Sequence, residues 1–341
     1  MKIEDLIRPN IKLMKAYTNA REEFNGKADL YLDANESPFG QFNRYPDPNQ
    51  NILKKRLAKY KQVSENQVFI GNGSDEIIDL IIRLVAEPGL DKIMLFPPTY
   101  GMYEVTASLN NVSSIKIPLN CDFEIDYQKV EPLLQNPALK VIFICSPNNP
   151  SGNNIPKETI LKLLNNFRGL IVIDEAYIDF SSENSCLEFL RNFDRLIILQ
   201  TLSKAWGMAS LRIGVAYSNP KLINYLNKIK PPYNISNVNQ NLALEGLNRA
   251  DQIEQNIATI IQERKYLTLA LSAVKIVKKV YPSASNFLLI EVDNADLRYQ
   301  QLLELGIILR NRNTQISNCL RVSIGTPKEN QTLIHTLKEL Q

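Results

Sequence analysis

This chain is poor in the residues that usually mark a metal centre or an imidazole acid–base pair. Its 341 residues include one histidine, His335, and four cysteines, Cys121, Cys145, Cys186 and Cys319. The cysteines lie far apart, with no C-x-x-C pair and no histidine cluster beside them, so their spacing suggests neither a zinc site nor a disulfide framework. A reducing cytoplasm is the expected setting. Excess charge is also missing: 39 Lys+Arg against 36 Asp+Glu leave a net charge of +3, dispersed along the chain. Such a balance argues against a nucleic-acid partner. The opening Met1-Lys2-Ile3-Glu4-Asp5 carries acids early and no long apolar run follows, so neither a signal peptide nor a membrane anchor is expected. Internal repeats and low-complexity tracts are absent as well.

What is present is apolar material in quantity, 44% of the residues, enough for a large core and more than one domain. From residue 66 onward, short β-branched runs alternate with helical patterns: Val68–Ile70, Lys92–Phe96, Val112–Ile117, Val141–Cys145, Leu170–Asp174 and Arg195–Leu199. Continuous apolar strands separated by helices imply a mostly parallel sheet covered on both faces, an α/β architecture. A helix is expected from Ser74 to Ala86, ended by Pro88-Gly89. Texture changes near residue 237, where one or two long helices are followed by strands around 286–292, 307–309 and 320–324 and a last helix from Pro327. The expected organisation is an N-terminal arm over residues 1–25, a large α/β domain over 26–236 and a smaller α+β domain over 237–341.

Several strand ends carry chemistry. The run Leu170–Ile173 leads straight into Asp174, which should emerge at the C-terminal edge of a parallel sheet, where open α/β sheets bind ligands. Tyr177 follows on the same loop. The next strand leads into Thr201-Leu202-Ser203-Lys204-Ala205-Trp206-Gly207, with Arg212 close behind. A lysine so placed can form an imine with an aldehyde cofactor, and an acid such as Asp174 can hold the proton of a pyridine nitrogen. Taken singly, Asp174 reads equally as a helix cap and Lys204 as a solvated loop residue. Gly71-Asn72-Gly73-Ser74-Asp75-Glu76 is a glycine loop opening onto a helix, suited to a phosphate, though Ser74 also reads as a plain N-cap. It matches neither the dinucleotide fingerprint, since Glu76 takes the third glycine position, nor the G-K-S/T loop. Tyr100, in Pro97-Pro98-Thr99-Tyr100-Gly101, can stack on a planar ring. Asn149, in Ser146-Pro147-Asn148-Asn149-Pro150-Ser151-Gly152, can donate to a ring oxygen. Without a histidine to spare, acid–base work would rest on lysine.

The ordered set G-N-G-S-D-E, P-P-T-Y, S-P-N-N-P-S-G, D-E-A-Y and T-L-S-K-A-W-G followed by S-L-R-I-G resembles the fold-type-I pyridoxal-phosphate aminotransferases across almost the whole chain. Within that family it is most similar to the histidinol-phosphate branch, through Leu32-Asp33-Ala34-Asn35-Glu36-Ser37-Pro38, Asn43-Arg44-Tyr45-Pro46-Asp47-Pro48, and Gly306–Arg310 with Cys319–Gly325. The resemblance implies pyridoxal 5'-phosphate as cofactor, carried by Lys204, with Lys204 also moving the proton. It implies that Asp174 holds the ring nitrogen's proton, that Tyr177 and Asn149 bind the ring oxygen and that Tyr100 stacks. Phosphate binding falls to Ser74, Asp75, Ser203 and Arg212, joined by Tyr45 from a second subunit, which makes a homodimer the expected assembly. Arg321 and Arg310 would meet the substrate's anionic end, with Tyr17 and Asn35 lining the pocket; Arg312 competes with Arg310 for the phosphate. The implied reaction is ping-pong transfer of an amino group between L-histidinol phosphate and 2-oxoglutarate in histidine biosynthesis. An aromatic amino-acid aminotransferase, a decarboxylase of phosphorylated threonine type, and a non-enzymatic or regulatory α/β protein are the competing readings. A forked guanidinium binds a phosphate and a carboxylate with one geometry, so a single arginine can serve both alternating substrates.

Overall fold

A computed structural model describes residues 2–18, 20–23 and 29–340, so the last residues of the expected arm fall outside the described part. Two sheets organise the chain. The larger has seven strands: β1 (Val68–Asn72), β2 (Lys92–Leu95), β3 (Ser113–Lys116), β4 (Leu139–Cys145), β5 (Leu170–Asp174), β6 (Leu196–Thr201) and β7 (Ile213–Ser218), in the order β1-β7-β6-β5-β4-β2-β3. All its strands run one way except β7, which pairs antiparallel with both β1 and β6. The chain therefore has the α/β fold that the strand pattern implies. β7 is the strand that pattern does not reveal, because Gly214, Tyr217 and Ser218 interrupt its apolar run, yet it is buried throughout.

Helices cover both faces. Gly73–Val85 lies on one side and buries Ile77, Ile78, Ile81, Leu84 and Val85, a stripe wide enough to be enclosed on most of its circumference. On that side it meets Pro220–Ile229 and the first helices of the chain, whose Ile3, Leu6, Ile7 and Ile11 are buried in the same cluster. Arg8 fixes this entry with a fork onto Glu87, at 2.9 and 3.2 Å. The opposite face is covered by Asn51–Lys61, Lys157–Asn166 and the 237–247 helix, which contributes Ala243 and Leu247 to the large core.

The smaller sheet is antiparallel, ordered β10-β11-β9-β8, from β8 (Val277–Val280), β9 (Phe287–Val292), β10 (Arg310–Asn311) and β11 (Cys319–Ser323). Its core is formed with the end of the long helix Ala250–Ser272, the helix Ala295–Glu304 and the last helix, Pro327–Glu339. The final helix opens on a capping box between Thr326 and Glu329. Two helices, 237–247 and 250–272, thus occupy the segment where one or two long helices are expected, and packing passes from the large core to the small one along the second. Residues 307–309, expected as a strand, precede one instead: β10 begins at Arg310.

Candidate active site

One edge of the large sheet gathers the C-terminal ends of β1, β2, β4, β5 and β6. The antiparallel β7 starts there, because Gly214 faces Thr201 and Ile213 faces Asn72 in register. The inserted strand thereby brings Arg212 to the same edge as the parallel strand ends. Ser74, Asp75, Tyr100, Asn149, Asp174, Tyr177, Ser203, Lys204 and Arg212 line a single cleft at this edge.

At its floor Asp174 is buried as the last residue of β5. Its Oδ2 accepts from the Tyr103 hydroxyl at 2.7 Å and its Oδ1 from the Ala176 N–H at 3.0 Å. Burial pushes the carboxyl above its ordinary range, while these two donors and the Lys204 ammonium pull it back. Tyr103 comes from the helix Met102–Leu109 and stacks on Phe143 at 4.9 Å, which fixes its hydroxyl under the carboxylate. Sequence reasoning missed Tyr103. Its one signal is position, a tyrosine one helical turn beyond Tyr100.

Lys204 sits in a tight loop. The Thr201 hydroxyl accepts from the Ser203 N–H and donates to the Ile213 carbonyl, each at 3.1 Å, and the Gly207 N–H returns to the Lys204 carbonyl at 3.1 Å. The ammonium lies 5.6 Å from the Tyr177 ring centre. Although the side chain stays open to the cleft, its pKa falls below that of a free lysine. Partial burial is the first cause; Arg321 and Arg212 add to it, against Asp174.

An anion-binding end lies at the helix Gly73–Val85, whose first N–H groups point into the cleft with the positive end of the helix dipole. Arg212 reaches this end and lies 3.6 Å from Asp75, whose other oxygen accepts from the Tyr100 hydroxyl at 2.9 Å. Gly73 has φ +77°, and a Cβ there would stand 2.6 Å from an Arg212 nitrogen. The positive φ is what requires glycine here, with the end of Arg212 packed against it.

The opposite end is built by the small sheet. Arg321 donates to Asn149 Oδ1 at 2.6 Å, and Arg312 approaches the same oxygen at 3.4 Å. The Asn149 amide nitrogen points the other way and donates to the Tyr177 hydroxyl at 3.4 Å. Both arginines have a buried Nε without a hydrogen-bond partner. A buried, unmet donor costs about 1–3 kcal/mol. Arg310 faces Arg321 in register but is exposed.

Besides Arg310, three expected residues are not brought in. Tyr17, Asn35 and Tyr45 are exposed and lie outside this cleft; Tyr45 stacks on Tyr233 at 4.5 Å, and Asn35 and Tyr45 line a separate surface hollow. What the cleft offers chemically is an accessible amine and a buried acid lining one cavity, with hydroxyl and amide groups beside them and arginines at two ends. That donor set suits a planar, phosphorylated pyridine aldehyde, with a second anion at the arginines. Among the described residues no group of three or more His, Cys, Asp or Glu side chains is placed to hold a metal ion, and no helix is long and apolar enough to cross a membrane.

Residues 18–337 match the family model described as aminotransferase class I and II. The chain is 48% identical to the histidinol-phosphate aminotransferase of Parabacteroides distasonis over 99% of both chains. It is likewise 48% identical to that of Flavobacterium johnsoniae, over 99% of this chain and 98% of the relative. Among solved structures, the histidinol-phosphate aminotransferase from Clostridium acetobutylicum superposes with a TM-score of 0.80 at 28% identity, covering 88% of this chain and 91% of the other. The Sinorhizobium meliloti histidinol-phosphate aminotransferase in complex with pyridoxal-5'-phosphate also scores 0.80, at 23% identity over 90% and 89%, a likeness of fold.

Proposed function

This chain belongs to the aminotransferase class I and II family, and we propose that it moves an amino group between L-histidinol phosphate and 2-oxoglutarate, giving imidazole acetol phosphate and L-glutamate. The observation that carries this reading is its likeness, end to end at 48% identity, to relatives bearing that name. The step belongs to histidine biosynthesis, and the cytoplasm suits four free cysteines.

The cofactor in this reading is pyridoxal 5'-phosphate, which when bound supplies an aldehyde to capture the amine and a ring to draw off electrons. Asp174 holds the proton at the ring nitrogen, and Tyr103 keeps that carboxylate oriented and charged. Tyr177 and Asn149 would donate to the ring oxygen, and Tyr100 would stack on the ring. The Ser74 and Asp75 N–H groups, Ser203 and Arg212 hold the phosphate. Lys204 would hold the aldehyde, and its amine is placed to take a proton from the substrate α-carbon and return it one position away. Its lowered pKa keeps more of the amine neutral and able to accept that proton. Arg321 would receive the substrate's anionic end.

Two copies complete the site in this reading. Tyr45 reaches the phosphate of the neighbouring subunit, which accounts for its place outside its own cleft. Leu13, Leu32, Phe39 and Phe42 are exposed on the same segment and would be covered by the second copy.

An amino-donor profile tests the reaction. Stopped-flow spectra of the holoenzyme with L-histidinol phosphate, glutamate, phenylalanine and threonine phosphate should show rapid conversion of the bound cofactor by the first two. Faster conversion by phenylalanine, or release of carbon dioxide from threonine phosphate, would replace the proposal.

A further inference from the structure

Residues 230–240 run from the end of the helix Pro220–Ile229 into the helix Asn237–Leu247, and none of them lines the cleft. Their side chains nevertheless hold two pieces of its anion-binding end and the segment beyond Tyr45. Asn234 Nδ2 donates to Glu76 Oε2 at 2.8 Å, on the helix Gly73–Val85, and to the Ile70 carbonyl of β1 at 3.1 Å. Asn239 Nδ2 donates at 3.1 Å to the carbonyl of Leu211, the residue before Arg212. Lys230 and Gln240 donate to the carbonyls of Pro48 and Asp47, at 2.7 and 3.2 Å.

Asn234 is the most fully committed of these side chains. Both of its amide hydrogens are used, and its Oδ1 accepts from Gln50 Nε2 at 3.1 Å. Gln50 is itself wholly buried, and its Nε2 also donates to the Pro48 carbonyl at 2.7 Å. Glu76 Oε2 in turn accepts from the Asn72 N–H at 2.5 Å. Asn72 precedes the helix and makes no side-chain cap, so the N–H groups of the first turn stay open while Glu76 holds the turn from behind. A loose carboxylate so near would repel a phosphate. Two N–H donors on one oxygen fix it outside the cleft that Ser74 and Asp75 line.

We infer that Asn234 is a positioning residue for the cofactor phosphate, acting through Glu76 on the turn from Asn72 to Ser74. This rests on the reading of the cleft as a pyridoxal-phosphate site. A planar amide suits the task, because it offers two donors and an acceptor in fixed directions, here met by a carbonyl of β1, the Glu76 carboxylate and Gln50. Gln50 and the Ile70 carbonyl supply the fixed points, and Glu76 is the group that is steered. Anion binding at a helix N-terminus depends on N–H groups that are already aimed, so a turn held in place leaves less ordering to be done when the phosphate arrives.

Titration of cofactor-stripped enzyme with pyridoxal 5'-phosphate, and separately with unphosphorylated pyridoxal, tests this in wild type, Asn234→Ala, Glu76→Ala and the double variant. For Asn234→Ala the dissociation constant of pyridoxal phosphate should rise about 10-fold or more, the range for a lost hydrogen bond to a charged group. That of pyridoxal should rise less than about 3-fold, the background of a remote substitution. The double variant should bind little worse than either single one, since both act through one carboxylate. Glu76→Gln, which keeps an oxygen for the two N–H donors, should recover most of the affinity lost in Glu76→Ala. Asn234→Asp keeps the shape and the acceptor for Gln50 but sets an oxygen against Glu76; it should lose at least as much as Asn234→Ala and replaces it should the alanine variant not fold. Equal losses for pyridoxal phosphate and pyridoxal, additive losses in the double variant, or wild-type affinity in Asn234→Ala and Asn234→Asp would overturn the inference. Wild-type protein that binds pyridoxal phosphate no more tightly than pyridoxal would instead remove the cofactor reading, and the inference with it.

Discussion

The cleft floor and the segment from residue 13 to residue 52 are built on opposite terms. At the floor, nearly every polar group has a partner inside the chain: Asp174 has two donors, and the buried Glu175 beside it accepts from the Cys186 N–H at 2.6 Å and from Gln200 at 2.9 Å. Along the N-terminal segment, Leu13 is 86% exposed, Leu32 83% and Phe39 82%. Its order comes from charge instead, through Glu36, which accepts from Arg44 at 2.6 Å, Arg21 at 2.7 Å and the Tyr45 N–H at 2.6 Å. One region is finished by its own chain. The other presents Tyr45 and a row of apolar side chains on a locally stiffened scaffold, the form expected of a surface that is completed by association.

Asp174→Asn should produce the largest contrast within the floor. Activity should fall by about 10³-fold, because the proposed role of Asp174 is a fixed charge opposite the ring nitrogen. The apoprotein should become slightly more stable, by a scale of about 1 kcal/mol or about 2 °C in Tm. The sign follows from burial: a carboxyl whose folded pKa is raised binds protons more readily folded than unfolded, so its ionised form burdens the fold as pH rises through that pKa. Calorimetry of apoprotein beside turnover assays would measure both, and a less stable variant would mean that Asp174 is structural.

The second prediction attacks the other region. Phe39→Glu combined with Phe42→Glu should split the proposed dimer on a sizing column and lower activity about 100-fold, since Tyr45 would then lose the neighbouring phosphate that the proposed assembly gives it. The variant's fold, read by circular dichroism, should persist because neither side chain is buried in its own chain. Full activity in a proven monomer would erase the distinction between the two regions.

The smallest effect belongs to Glu36→Gln. Burial raises the Glu36 pKa, but Arg44, Arg21 and the Tyr45 N–H outweigh it and bring it to about 2. A depressed carboxyl stabilises the folded segment above the unfolded value of about 4.3. That stabilisation is lost as pH falls through about 2. Proteolysis of the N-terminal segment should therefore be faster in the variant than in wild type near neutral pH, with the difference shrinking as pH falls from 4 toward 2. A gap that does not change with pH would exclude the carboxylate's charge as its cause.

The same division explains how far the sequence could be read. Strand ends were legible because an apolar run stops abruptly at a polar residue, as at Ile173-Asp174, and parallel topology puts such ends at one edge. Tyr103 was not legible, since a buried tyrosine on a helix looks like core until the acid it meets across 71 residues is placed. β7 was hidden by its glycine and polar residues, although it carries Arg212 to the cleft. Arg310 and Arg312 differ in exposure rather than in residue type, and a pattern of letters contains no exposure. Tyr17, Asn35 and Tyr45 can be weighed only with a second copy in view.

The central claim is that Lys204 is the anchoring amine of the cleft. Borohydride reduction of the purified holoenzyme, followed by digestion and mass spectrometry, tests it most directly. The expected result is the reduced cofactor's mass on the peptide containing Lys204 and on no other, with that label abolished in Lys204→Ala. Label on a different lysine of the wild-type protein, or none at all in protein that is yellow and active, would contradict the account.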